Sequence, residues 1–240
     1  MSNATSTFAT PTATSPGSTF TSAPAISAET SSSPRSTFST LLNLITGRPI
    51  DEGEGRSRRM QLMVTAGLLS LVFAAVWGMA AGSASPGFAL ALANIYKVPM
   101  IMLLAALFSV PAGLLALRIS GADYRASDLV SSFVIGVFSG SLVLGVLSPL
   151  VALYYHTSAW AGPLLGMGSS FLALAVACGV FVRATLRRRR PDAEPASLAL
   201  PTAVMVLMNA ACLLQLVALA SPIIPEATIF EGGVDTVISH

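Results

Sequence analysis

Charge is what this chain has least of. Asp, Glu, Lys and Arg together make up 10% of its residues, against about a quarter in an ordinary soluble domain. A soluble surface needs interspersed charge to stay dispersed, so the deficit excludes a soluble globular protein. No charged residue falls at the centre of any long apolar run. Pumps and ion carriers place relay and coordination groups at such depths, so active transport is not expected, whereas a passive pore is not excluded. There are 2 cysteines, Cys178 and Cys212, each inside an apolar run; both read as small packing residues rather than a disulfide or metal pair. His156 and His240 stand alone, with no carboxylate or cysteine at ligand spacing, so no metal site is predicted. No Gly-x-Ser-x-Gly, phosphate loop or dinucleotide fingerprint is present. Gly166-Met167-Gly168 is too short and too embedded to cradle a phosphate. The expectation is therefore no enzyme, no cofactor and no nucleic-acid partner.

What the chain has in abundance is apolar surface: 53% of its residues, with a mean hydropathy of +0.74. That composition predicts a polytopic membrane protein, an all-α bundle of membrane-spanning helices. Its net charge of +2 matters less than how the charges are divided between loops.

Residues 1–35 are mostly Ser, Thr, Ala and Pro. They offer too little apolar area to offset the entropy of ordering them, so the segment is expected to be a disordered tail. It lacks a basic start followed by an apolar core, so it does not read as a secretory signal. Ser-Thr-Phe recurs at Ser6-Thr7-Phe8, Ser18-Thr19-Phe20 and Ser36-Thr37-Phe38. A docking or phosphorylation motif is one reading; coincidence in a Ser/Thr-rich composition is the other. Within 36–59, Phe38, Leu41, Leu42 and Ile45 make one apolar face of a short helix. Ser36 or Thr37 can cap it, and Gly47 with Pro49 ends it. Such a helix is too short to stand alone in water. It is expected on the membrane surface or against the bundle, with a partner's groove as the alternative. Asp51, Glu52 and Glu54 then form an exposed linker that closes on Arg56, Arg58 and Arg59.

Five apolar runs follow, near 60–82, 98–117, 129–155, 162–183 and 198–222. Each is close to the roughly 20 residues that cross a hydrocarbon core, and in lipid each must be helical to satisfy its backbone. Together they define a domain over 60–222, with a short tail over 223–240. Pro99, Pro163 and Pro201 are expected at span starts; Pro111 and Pro149 lie deeper and should kink their helices. The apolar stretch 86–96 either extends the second span or forms a surface helix.

Arginines fall on one side: Arg56, Arg58 and Arg59; Arg118 and Arg125; Arg183 and Arg187 to Arg190. The opposite loops hold Lys97 and the charge-free His156-Thr157-Ser158-Ala159-Trp160, and the tail carries Glu226, Glu231 and Asp235. Basic loops stay cytoplasmic. The prediction is a cytoplasmic (inner) membrane protein with its amino terminus inside and carboxyl terminus outside. Tyr96, Tyr154, Tyr155 and Trp160 would then lie at the outer interface.

Three groups of residues are candidates for more than anchoring. Ser132, Gly136 and Gly140 share a face of the third span, and Gly162 and Gly166 begin a similar face on the fourth. Small faces let helices pack backbone to backbone, either within the chain, in a homo-oligomer seam or along a pore. Asn209 and Gln215 are the deepest strongly polar side chains and are expected to be buried, bonding to a neighbouring helix or contacting a substrate. Arg187, Arg188, Arg189 and Arg190 either anchor the fourth span or contact anionic lipid.

Trp77-Gly78-Met79-Ala80-Ala81-Gly82, Lys97-Val98-Pro99-Met100, Ser109-Val110-Pro111 and Ser148-Pro149 together resemble a group of bacterial five-span membrane proteins often placed beside the Yip domain family. The resemblance covers about 38–235, including Ser221-Pro222 and Glu231-Gly232-Gly233. It implies five spans and a cytoplasmic amino terminus, and it transfers no functional residues. Eukaryotic Yip-type proteins are linked to small-GTPase partners and vesicle traffic. This chain departs from the pattern at Leu219, Ala220 and Ser221, where the family commonly carries an aromatic and a basic residue. Some members are labelled actin-binding; Phe38 to Ile45 lacks the Leu-Lys-Lys-Thr-like continuation that label would need. The sequence therefore predicts a non-enzymatic scaffold or accessory subunit, with a channel or permease component as the rival. Its partners are the lipid bilayer and, beyond that, other membrane proteins or a second copy.

Overall fold

The structure is a computed structural model that describes residues 37–46, 56–83, 88–158, 160–189, 195–221 and 223. The tail expected over 1–35, the acidic linker, Arg190 and the segment 224–240 lie outside the described residues. Those described form six helices and no strand: α1 Thr37–Thr46, α2 Arg56–Gly82, α3 Ala89–Ile119, α4 Ala126–Thr157, α5 Ala161–Arg187 and α6 Pro195–Ala220. All but α1 are long and apolar enough to cross a membrane. The chain is thus a multi-pass helical membrane protein.

The spans differ from the expectation mainly at their starts. α3 begins at Ala89 rather than Val98, so residues 89–96 extend the second span. The run Ala89-Leu90-Ala91-Leu92-Ala93 favours helix strongly enough to propagate into Pro99. That places Pro99 well inside α3, beside Pro111, and Pro201 likewise falls inside α6, against the expectation that both mark span starts. Each proline frees one carbonyl a turn earlier, a loss that membrane helices tolerate where neighbouring helices surround the site. Pro163 does lie in the first turn of α5.

Packing order differs from chain order. Neighbours run α5–α4–α2–α3–α6, and the consecutive helices α5 and α6 barely touch. The most extensive seam is α4 with α5. A methyl group on Gly136 would meet the Ala177 carbonyl oxygen and the Phe181 Cβ at 2.8 Å, and one on Gly140 would meet the Ala173 oxygen at 2.7 Å. Only glycine allows backbones to approach so closely. Phe133 and Phe181 close the same seam edge to face, with centroids 5.7 Å apart. The other wall is α3 on α6, where Met205 fills the space above Gly113. α1 lies against the groove of α2 and α4: Leu41 is 1% exposed and packs with Leu62, Ala66, Ile135 and Phe138. Of the two expected positions for the amphipathic helix, the structure gives the one against the bundle.

Candidate functional site

Because α5 and α6 are held by opposite arms of the bundle, a cleft separates them. It encloses about 250 Å³. Its back wall is Trp77 of α2, Ile101 of α3, and Val137 and Gly140 of α4; its sides are Phe171 and Leu174 of α5 and Leu213 and Leu214 of α6. Phe171 and Leu214 are exposed, which makes them the lips of an opening that faces sideways, into the bilayer. The wall is overwhelmingly apolar, and its polar members are largely committed elsewhere. Ser141 Oγ donates to the Val137 carbonyl at 2.8 Å, and Ser170 Oγ donates to Gly166 at 3.0 Å. Asn209 Oδ1 accepts from Ser109 Oγ at 3.3 Å. Trp77 is fixed in the wall by donating its indole N–H to Ser169 Oγ at 3.0 Å.

One end of the cleft is closed by a polar lock between α3 and the end of α6. Asn94 Nδ2 donates to the Ile223 carbonyl at 2.7 Å, and Lys97 Nζ donates to the Ala220 carbonyl at 3.1 Å. The last carbonyls of a helix have no partner within it, and a cation there is favoured by the helix dipole. Asn94 is fully buried, and its Oδ1 has no partner. The early start of α3 is what delivers both side chains to this position.

The opposite end carries the arginines, and there the structure assembles a cluster that sequence reasoning missed. Asp128, in the first turn of α4, accepts from Arg59 Nη2 of α2; their side chains are 20% and 35% exposed. Arg59 also donates to Ser131 Oγ at 3.2 Å. From the end of α5, Arg188 Nη1 donates to the Asp128 carbonyl at 3.3 Å and to Ser132 Oγ at 3.4 Å. Tyr124 donates its hydroxyl to the Thr185 carbonyl at 3.5 Å. Arg59 thus pairs with the Asp128 carboxylate while Arg188 holds the backbone carbonyl of the same residue and feels its charge, and that carboxylate also sits favourably at a helix amino terminus. Burial, and then the charge of Arg59, lower the pKa of Arg188 from its ordinary value. Burial raises that of Tyr124, against the opposing pull of Ser132 and Arg188. The cluster ties α2, α4 and α5 together. The available signal was Asp128 itself, a carboxylate at the mouth of an apolar run in a chain poor in acids.

The sequence candidates fall as follows. Gly136 and Gly140 sit in the α4–α5 seam, Gly140 also lining the cleft, while Ser132 donates to the Asp128 carbonyl at 2.8 Å. Gly162 and Gly166 face Tyr155 of α4, which a methyl group on either would meet at 2.9 and 3.0 Å. Asn209 is half-buried at the cleft. Gln215, expected to be buried, is exposed; α6 packs mainly on α3, and Gln215 lies off that face. Arg187 is exposed and Arg189 half-buried, whereas Arg188, grouped with them as a lipid contact, turns back into the bundle. Compared with protein-family models, curated proteins and solved structures, the chain matches none.

Proposed function

We propose that the protein is a non-enzymatic accessory or scaffold component of the cytoplasmic membrane that receives an apolar occupant in the cleft between α5 and α6. The cleft carries this reading. Its opening faces the bilayer, and its walls give a polar solute few groups that are not already bonded within the protein. A polar molecule entering it would leave hydrogen bonds unmade, at a cost of about 1–3 kcal/mol each, whereas an apolar chain forfeits nothing. The distribution of arginine supports a cytoplasmic arginine-rich end, with the amino terminus inside and the carboxyl terminus outside. The same orientation is implied by the resemblance to Yip-type proteins.

The chain has 2 tryptophans, one of them Trp77 in the cleft wall, so a Trp160→Phe variant reports on the cleft alone. In nanodiscs containing lipids brominated along the acyl chain, Trp77 emission should be quenched. Ala210→Phe, which places a ring in the cleft, should relieve the quenching. Equal Trp77 emission in brominated and plain bilayers would overturn the reading. A second reading, a channel or permease component, draws on Asn209, whose amide lies in the cleft wall. Solute flux into proteoliposomes that is lost in Asn209→Leu would favour it instead.

A further inference from the structure

Resting on that reading, we propose that the occupant is an anionic phospholipid: one acyl chain lies between α5 and α6 against Trp77, and the Lys97 ammonium holds the phosphate. Three observations converge on this chemistry. The first is access. The lips Phe171 and Leu214 lie on the outer surface of membrane-spanning helices, so what enters the cleft enters from the bilayer. The second is volume. The cleft holds about 250 Å³, less than one turn of a helix about 10 Å across would fill. A single hydrocarbon chain is less than half as wide and matches a space of that size.

The third is charge. Lys97 is the only lysine in the chain. It stands at the end of the bundle opposite every described arginine. Its ammonium has three donors, of which one goes to the Ala220 carbonyl, and no described carboxylate pairs with it. Ser221, the next residue, lines the cleft, so the ammonium is held beside the cleft at its closed end. The bond to Ala220 fixes the charge there without neutralising it. A phosphate bearing a net negative charge complements it; a zwitterionic headgroup brings its own cation to the same place and gains less.

The test uses the full chain carrying Trp160→Phe, in phosphatidylcholine nanodiscs doped with lipid brominated at mid-chain. The dopant bears either a phosphatidylglycerol or a phosphatidylcholine headgroup. Brominated phosphatidylglycerol should quench Trp77 at about fivefold lower mole fraction, the effect of one basic residue near an anionic surface. Lys97→Gln should abolish that preference, Lys97→Arg should retain it, and unchanged quenching of Lys97→Gln by brominated phosphatidylcholine shows that the cleft has survived the substitution. Equal quenching of the parent by the two lipids, or a preference that persists in Lys97→Gln, overturns the assignment of the headgroup while leaving an apolar occupant in place. No quenching by either lipid sinks both readings. Two further outcomes also overturn it. Quenching that appears only after residues 224–240 are removed assigns the cleft to the chain's own tail. A Leu214→Cys variant, in a background lacking Cys178 and Cys212, that cross-links between copies with loss of quenching assigns it to a second copy.

Discussion

Asp128→Asn isolates the arginine cluster, because asparagine keeps the shape of the side chain and one acceptor oxygen but removes the charge. Three consequences add. The ion pair with Arg59 is lost; at 35% and 20% side-chain exposure it lies between exposed pairs, worth about 0–1 kcal/mol, and buried ones, whose disruption costs about 3–5 kcal/mol. The favourable placement of a negative charge at the start of α4 is lost, at about 0.5 kcal/mol. The mutual repulsion of Arg59 and Arg188 is left without a neighbouring negative charge to offset it. A total near 2 kcal/mol follows, a drop of about 30-fold in the folded-to-unfolded ratio. The assay is reversible unfolding in mixed micelles, followed by helical circular dichroism. The decisive measurement is a second substitution. Arg188→Gln in the parent loses two donated hydrogen bonds and should destabilise; on top of Asp128→Asn it also removes a like charge and should cost less, or restore stability. If Arg188→Gln costs the same in both backgrounds, the charges of Asp128 and Arg59 are not felt at Arg188 and the reasoning fails.

Other perturbations have equally definite expectations. Gly136→Ala drives a methyl group to 2.8 Å from the Ala177 oxygen and the Phe181 Cβ and should destabilise by about 2 kcal/mol. In contrast, Gly168→Ala, with nothing within 4 Å, should be neutral or stabilise by about 0.5 kcal/mol; unfolding titrations of the pair compare them directly. Asn94→Ala removes the donor to Ile223 and should loosen the end of α6, costing about 1–2 kcal/mol. Faster amide exchange at 218–221, with that of α4 unchanged, would show it. Tyr124 has a pKa raised above 10.0 by burial, so the folded chain holds its phenolic proton to higher pH than the unfolded one. Its contribution is fully present below about pH 10 and falls as pH climbs through the raised value. The stability difference between the parent and Tyr124→Phe should therefore shift against the parent as pH rises from about 9 to 11.

The spans were legible because length and apolarity are local properties. Where α3 begins was not: Pro86 and Pro99 bracket the stretch, and proline reads as a breaker, yet the alanine–leucine run between them propagates into Pro99. The failure at Gln215 has a different source. The rule that polar residues in spans face inward assumes a closed ring, and α6 is a stave held mainly by α3, so most of its circumference faces outward. Neither candidate site could be assembled from the sequence. Arg59, Asp128 and Arg188 are separated by 69 and 60 residues, and no local pattern links them. The cleft arises from the order α5–α4–α2–α3–α6, a property of the whole arrangement. Lys97 was visible as a solitary charge, but its hold on Ala220 depends on where α6 ends.

α1 widens the helical bundle of the described residues at one end only. Spans add the same cross-section at both ends of the bundle, whereas α1, with Leu41 set against Leu62 and Ile135 near the arginine-rich end, adds it at that end alone. Its 10 residues make a cylinder about 15 Å long and about 10 Å wide, an added footprint of about 150 Å² on that side alone. A wedge of this kind relieves lateral pressure where its broader leaflet is convex. The protein should therefore gather on membrane bent in that sense, sorted by curvature as well as by lipid composition.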